Sequence, residues 1–133
     1  MEQYNLKNKI TIIIVLYRED YNLLYKTLDK IREFKKIIID NSNNLELKNK
    51  VESNFKIEKY ILNKKNIGFS SGYNQGVKLC ETEYSLILGP DCIIDSTSII
   101  KLYERLTINK DCFDLSITYS LKKDALILLK KHF

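Results

Sequence analysis

Only four glycines and one proline punctuate the 133 residues, so the chain has few places for sharp bends or close backbone approach, and their positions carry information. The three cysteines, Cys80, Cys92 and Cys112, form no Cys-x-x-Cys pair, and only one histidine, His132, accompanies them. No zinc spacing can be assembled from these, and the cysteines read as reduced cytosolic thiols. Apolar runs reach five to six residues, far short of the roughly 20 that a membrane-spanning helix needs. The opening residues lack signal-peptide architecture. The expectation is a cytoplasmic protein, touching the inner face of a membrane at most peripherally. No repeat, low-complexity tract or linker divides the chain, and residues 1–133 read as a single domain with a real core.

The charge balance, 22 basic against 17 acidic residues, gives +5. This surplus would help attract a phosphate-bearing ligand or an anionic membrane surface. The lysines are scattered rather than striped, so a solvated surface is expected and nucleic acid is not a partner. Strand and helix patterns alternate. The β-branched run Ile10–Leu16 reads as a strand covered on both faces, as in a parallel sheet. Asp20 can cap a helix carrying Leu24, Leu28 and Ile31, with Tyr21 and Phe34 extending the stripe. Lys36–Asp40 is a second buried strand, Leu47, Val51 and Phe55 mark a helical face, and Ile57–Leu62 is a third, looser strand.

A helix follows over about Ser70–Cys80, with Tyr73, Val77 and Cys80 on its buried side, then a fourth strand at Tyr84–Leu88. Asp95 or Ser96 caps the next helix, with Ile99, Leu102, Tyr103 and Leu106 inward. Phe113–Tyr119 reads as a fifth strand and Lys122–Lys131 as a closing helix. The alternation predicts an α/β fold: a Rossmann-like, parallel-centred sheet flanked by helices.

In such sheets ligands bind beyond the carboxyl ends of the strands. Reading each strand to its end brings together Tyr17, Arg18 and Glu19, then Asp40 and Asn41, then Gly89, Pro90 and Asp91. Asp40 can accept hydrogen bonds from a nucleobase or ribose, or it can cap the turn through Asn41 and Ser42. Asp91, after an apolar strand and a proline that fixes the exit, can hold a divalent cation bridging a diphosphate, or start a turn. Gly68, Gly72 and Gly76 stand at four-residue spacing where a helix begins. With Asn66 and Asn74 they either let backbone N–H groups approach an anionic ligand or let the helix pack closely on the sheet. Tyr17 can stack on a base.

Four blocks carry a resemblance: Ile12-Ile-Ile-Val-Leu-Tyr17, Ile38-Ile-Asp40-Asn-Ser, Asn66-Ile-Gly-Phe-Ser-Ser-Gly-Tyr-Asn74-Gln-Gly, and Tyr84-Ser-Leu-Ile-Leu-Gly-Pro-Asp91. In order and spacing they resemble the donor-site blocks of family 2 glycosyltransferases of the GT-A fold, with the rhamnosyltransferase-like branch nearest in character. The resemblance implies a nucleoside-diphosphate sugar as donor, Mg²⁺ or Mn²⁺ as cofactor, and a glycan or lipid-linked acceptor in polysaccharide synthesis, with inversion at the anomeric carbon. It implies that Asp40 contacts the base, that Tyr17 faces the nucleotide, and that Asn66, Gly68 and Asn74 flank the donor. Gly72 lies in the same donor block, and Asp91 matches the metal-holding acid of the DxD-type motif.

The chain departs from the family pattern at three places. Gly89 stands where that branch has Asn, Cys92 follows Asp91 where a full DxD would not place it, and Arg18 and Glu19 replace the more usual Asn after Tyr17. The family's acceptor half, with its catalytic base, lies beyond residue 133. Asp111, Asp114 and Asp124 read as surface aspartates, and His132 as a side chain at a frayed end. Two other readings stand beside this one: a truncated, inactive relative that is either a remnant or a partner of a full-length glycosyltransferase, with residues 120–133 as an amphipathic docking surface, and an unrelated signalling or flavodoxin-like module. The latter would need a phosphate cradle or acidic cluster after the first strand, which Tyr17-Arg18-Glu19 does not supply.

Overall fold

In a computed structural model of the protein, residues 7–108, 114–116 and 127–131 are described, with side chains as far as residue 105. The first strand, β1 (Ile10–Leu16), is buried at every position. Its residues divide between two cores, because alternate strand side chains point to opposite faces. Ile12, Ile14 and Leu16 join the larger cluster on one face, and Ile13 and Val15 join the smaller cluster on the other. Each fully buried residue of this kind contributes about 1.5–3 kcal/mol, so β1 anchors both layers.

Asp20 caps α1 (Tyr21–Asp29), its Oδ1 accepting from the amides of Asn22 at 2.7 Å and Leu23 at 3.2 Å. The helix stops before Ile31 and Phe34, which stay buried in a tighter turn where Ile31 N donates to Leu28 O and Phe34 N to Ile31 O. Lys36 closes that turn, its Nζ donating to the carbonyls of Ile31, Arg32 and Phe34 at 2.7–3.2 Å. Strand β2 (Lys35–Asp40) follows, then α2 (Leu45–Asn54), β3 (Lys59–Leu62), α3 (Phe69–Leu79), β4 (Tyr84–Leu88) and α4 (Ser96–Ile108). Asp95 caps α4 by accepting from Ser98 N at 2.8 Å. The third strand is shorter than its sequence pattern predicts, starting at Lys59.

The chain closes with β5 (Asp114–Ser116) and β6 (Ile127–Lys131), and the sheet order is β3-β2-β1-β4-β6-β5. The first four strands in this order are parallel, with Leu16 opposite Asp40, Asp40 opposite Leu62 and Ile13 opposite Ile87. β6 runs antiparallel to β4, with Leu86 opposite Leu129, and β5 runs antiparallel to β6.

Here the closing helix expected over residues 122–131 is corrected: residues 127–131 are strand β6, and residues 122–126 lie outside the described residues. A five-residue apolar run fits a strand as well as a helix. What decides is β4, whose outer edge carries backbone donors and acceptors that must be paired. Of the expected fifth strand, Asp114–Ser116 is observed and the flanking residues lie outside those described. The side chain of Leu106, expected to face inward, also lies outside them, as do Asp111, Cys112, Asp124 and His132.

The glycine spacing acts in packing. A methyl at Gly76 would lie 2.4 Å from Ile13 Cγ2, and one at Gly72 would lie 2.9 Å from Val15 Cγ1. Both glycines are buried, and their bare faces let α3 settle onto β1, with Tyr73 and Val77 packed against the smaller core cluster. Cys80, expected on the same buried side, is half-buried at the helix end.

Candidate functional site

The strand order reverses at β1: the chain runs outward through β2 and β3 on one side, then returns to place β4 on the other. Loops leaving β1 and its neighbours at their carboxyl ends therefore diverge and leave a crevice, the usual ligand position in open α/β sheets. A cleft of about 710 Å³ lies there, lined by Tyr17, Arg18 and Glu19 after β1, by Asn41 through Leu45 after β2, and by Asn66 before α3.

The β2 side is built by hydrogen bonds that leave little freedom. Asp40 is fully buried, and its carboxylate accepts from Ser42 N at 2.8 Å and, more weakly, from Asn44 N at 3.4 Å. It folds the Asn41–Asn44 loop but does not itself line the cleft. Asn41, also buried, bridges three elements: its Nδ2 donates to Gly68 O at 3.1 Å and its Oδ1 accepts from Asn63 Nδ2 at 2.9 Å. Asn63 in turn exchanges amide hydrogen bonds with Gln75 on α3. The ends of β2 and β3 and the start of α3 are thus tied by side-chain amides.

Strain gathers in the same place. Among the described residues, Arg18 at φ 54° and Asn43 at φ 53° are the only non-glycine residues with positive φ, and both line the cleft. Asparagine tolerates this conformation, whereas for arginine it is costly. A hydrogen bond from Arg18 N to Ser42 Oγ at 2.5 Å holds the β1 loop against the β2 loop. Tyr17 is 36% exposed, and the Arg18 guanidinium stands 5.1 Å from its ring centroid.

The β4 side is acidic. Tyr73 Oη donates to Leu88 O at 3.0 Å and Thr27 Oγ1 to Pro90 O at 2.8 Å, and Cys92 N closes the turn onto Gly89 O at 3.1 Å. These bonds fix the Gly89-Pro90-Asp91 exit and leave Asp91 exposed. Burial raises the Glu19 carboxyl above its ordinary value, and the nearby Asp91 charge raises it further. Burial also pushes the Tyr73 phenol up to about 12, with Glu19 and Asp91 adding to the effect. Two carboxylates from adjacent strand ends thus repel each other across the β1–β4 junction.

A divalent cation would relieve that repulsion. Carboxylate oxygens suit Mg²⁺ or Mn²⁺, which need only one or two protein ligands when a diphosphate and water fill the remainder. The donor set fits such an ion held in part by its ligand. No group of three or more His, Cys, Asp or Glu that could hold a metal alone occurs among the described residues.

The residues singled out from sequence therefore divide. Tyr17 and Asn66 line the cleft, Asp40 shapes it by holding the Asn41–Asn44 loop, and Asp91, exposed after β4 with its charge felt at Glu19, does not line it. Gly68 adopts φ 86° at the start of α3, where Asn66 Oδ1 accepts from its amide at 2.9 Å. Gly72 is buried beneath β1 and Asn74 is exposed on α3, and neither lines the cleft. Ser42, Asn43, Asn44 and Leu45 line it without having been singled out as site residues. Their signal was the polar turn that follows a buried strand.

The sequence profile described as "Glycosyl transferase family 2" matches residues 11–133. The chain belongs to glycosyl transferase family 2. Its fold is that of the mannosyltransferase PcManGT from Pyrobaculum calidifontis, solved in complex with GDP-Man and Mn²⁺, with a TM-score of 0.74 at 13% identity over 92% of this chain and 44% of that one. S. aureus TarS 1-349 in complex with UDP-GlcNAc matches with a TM-score of 0.62 at 17% identity, over 77% of this chain and 32% of that one. S. aureus TarS matches with a TM-score of 0.59 at 19% identity, over 75% of this chain and 20% of that one. This chain thus spans less than half the length of these solved structures. No curated protein matches it significantly. No helix among the described residues is long and apolar enough to cross a membrane.

Proposed function

We propose that this chain is the nucleotide-sugar-binding part of a glycosyltransferase, seating a nucleoside-diphosphate sugar in the cleft beyond β1 and β2. One observation carries the reading: in a family 2 chain, a strained, amide-rich cleft opens beyond β1 and β2, and the neighbouring strand β4 ends in the exposed Asp91 carboxylate, where the strand order reverses. The nucleoside lies over the Tyr17 ring and the Asn41–Asn44 loop that Asp40 holds in shape. The diphosphate points toward Asp91, which with Mg²⁺ or Mn²⁺ receives its phosphoryl oxygens. When bound, that cation would stabilise negative charge on the departing diphosphate.

Transfer to a glycan or lipid-linked acceptor with inversion needs a general base beside the acceptor hydroxyl. We place that base, and acceptor recognition, outside these 133 residues, in further chain or in a partner glycosyltransferase. The order and spacing of the four donor-site blocks, the last ending in Pro90-Asp91, favour the rhamnosyltransferase-like branch, although Gly89 stands where that branch has Asn. The work would be done in the cytoplasm, at the inner face of the membrane where lipid-linked acceptors are presented.

Calorimetric titration of UDP, GDP and dTDP, each with and without Mn²⁺, tests this reading. At least one is expected to bind more tightly with Mn²⁺, and Asp91→Ala is expected to abolish the metal dependence. Asp40→Ala is expected to weaken binding with or without metal, because it frees the Asn41–Asn44 loop. Metal-independent binding that survives both substitutions would place the nucleotide elsewhere.

A further inference from the structure

We infer that Arg18 is the anion-gripping residue of the cleft, and that it makes the site prefer a nucleoside diphosphate over the corresponding monophosphate or nucleoside. The inference rests on the nucleotide-binding reading above and adds to it a specificity determinant. Among the described residues that line the cleft, Arg18 is the single cation, and the other charged one, Glu19, is an acid with Asp91 close by. A diphosphate entering this cleft meets no other fixed positive charge there.

The guanidinium is also uncommitted. Among the described residues it makes no hydrogen bond or ion pair, and its ring contact is the cation–π approach to Tyr17 at 5.1 Å. Arg32 differs, since its donors already go to Asp29, the Asn54 carbonyl and Tyr25. A guanidinium with free N–H groups in a planar fork matches a phosphate bidentately, which a lysine cannot reproduce. Its backbone sits at φ 54° and is tied to Ser42, an uncommon conformation for arginine that the surrounding loops maintain. Backbone strain of this kind gathers where a side chain must be presented to a ligand.

The test uses the full chain with whichever of UDP, GDP or dTDP binds, together with its monophosphate and nucleoside. Arg18→Gln is expected to weaken the diphosphate about ten-fold, the worth of a lost charge-assisted hydrogen bond, and to leave nucleoside affinity unchanged. Arg18→Lys should recover only part of the loss. Arg18→Gly relaxes the backbone while removing the side chain, so it should show the same loss as Arg18→Gln even if other variants fold poorly. Equal loss for diphosphate and nucleoside, or no loss at all, overturns the inference and leaves the nucleotide site standing. If none of the three nucleotides binds the unaltered chain, the nucleotide site and this inference fall together.

Discussion

Gly76 and Gly72 illustrate how a single missing carbon positions a helix. At both places a methyl group would press into the β1 side chains, at 2.4 Å and 2.9 Å respectively. Alanine would gain about 1 kcal/mol in helix propensity, but overpacking of this kind costs about 1–3 kcal/mol. Gly76→Ala is therefore expected to destabilise the protein, and Gly72→Ala to do so less, as measured by urea unfolding.

Lys36 presents a different single-residue problem. It is 1% exposed, and burial pushes its ammonium down to about 8. An unfolded lysine keeps its proton to a higher pH, so between pH 8 and about 10.4 the unfolded chain binds more protons. Stability attributable to Lys36 should then rise with pH across that window and be flat below it. Tyr73 opposes this above pH 10, because its phenol ionises later in the folded chain. Unfolding midpoints measured from pH 7 to 10 should climb for the native chain, and Lys36→Met should flatten the climb.

Among the elements, what could be read in advance depended on how each is covered. β1 and β4 are apolar along nearly their whole length, and β2 over its central Ile37–Ile39, because helices cover both faces, and such runs admit one reading in an alternating chain. α1 and α4 announced themselves by the aspartates that cap them. β6 did not, because its short apolar run is decided by the open edge of β4 rather than by its own period. α3 was legible as a helix, but the purpose of its glycines was not. The same spacing serves a ligand or a close-packed sheet, and only the distances to Ile13 and Val15 decide. Removing residues 127–133 should expose the β4 edge, with a lower melting temperature and growth of higher-order species by size-exclusion chromatography.

Across the whole molecule, topology makes the site. Parallel strands send their loops to one rim, and the reversal at β1 opens that rim between β2 on one side and β4 on the other. Tyr17 and Asp91 could be placed at that rim from strand ends alone, and Asn66 from the glycine segment that opens α3. The buried setting of Asp40 could not, since a carboxylate ending a strand looks the same in sequence whether it meets a ligand or its own loop. Nor could the strained geometry of Arg18 and Asn43, which arises from contact between two loops distant in the chain.

The most direct measurement is an amide chemical-shift titration of the labelled chain with UDP, GDP and dTDP, each with and without Mg²⁺. The largest shifts are expected at Arg18, Asn41 to Leu45 and Asn66, joined by Asp91 only when the metal is present. Shifts confined to the opposite rim of the sheet, or to the exposed faces of α1 and α2, would contradict the account.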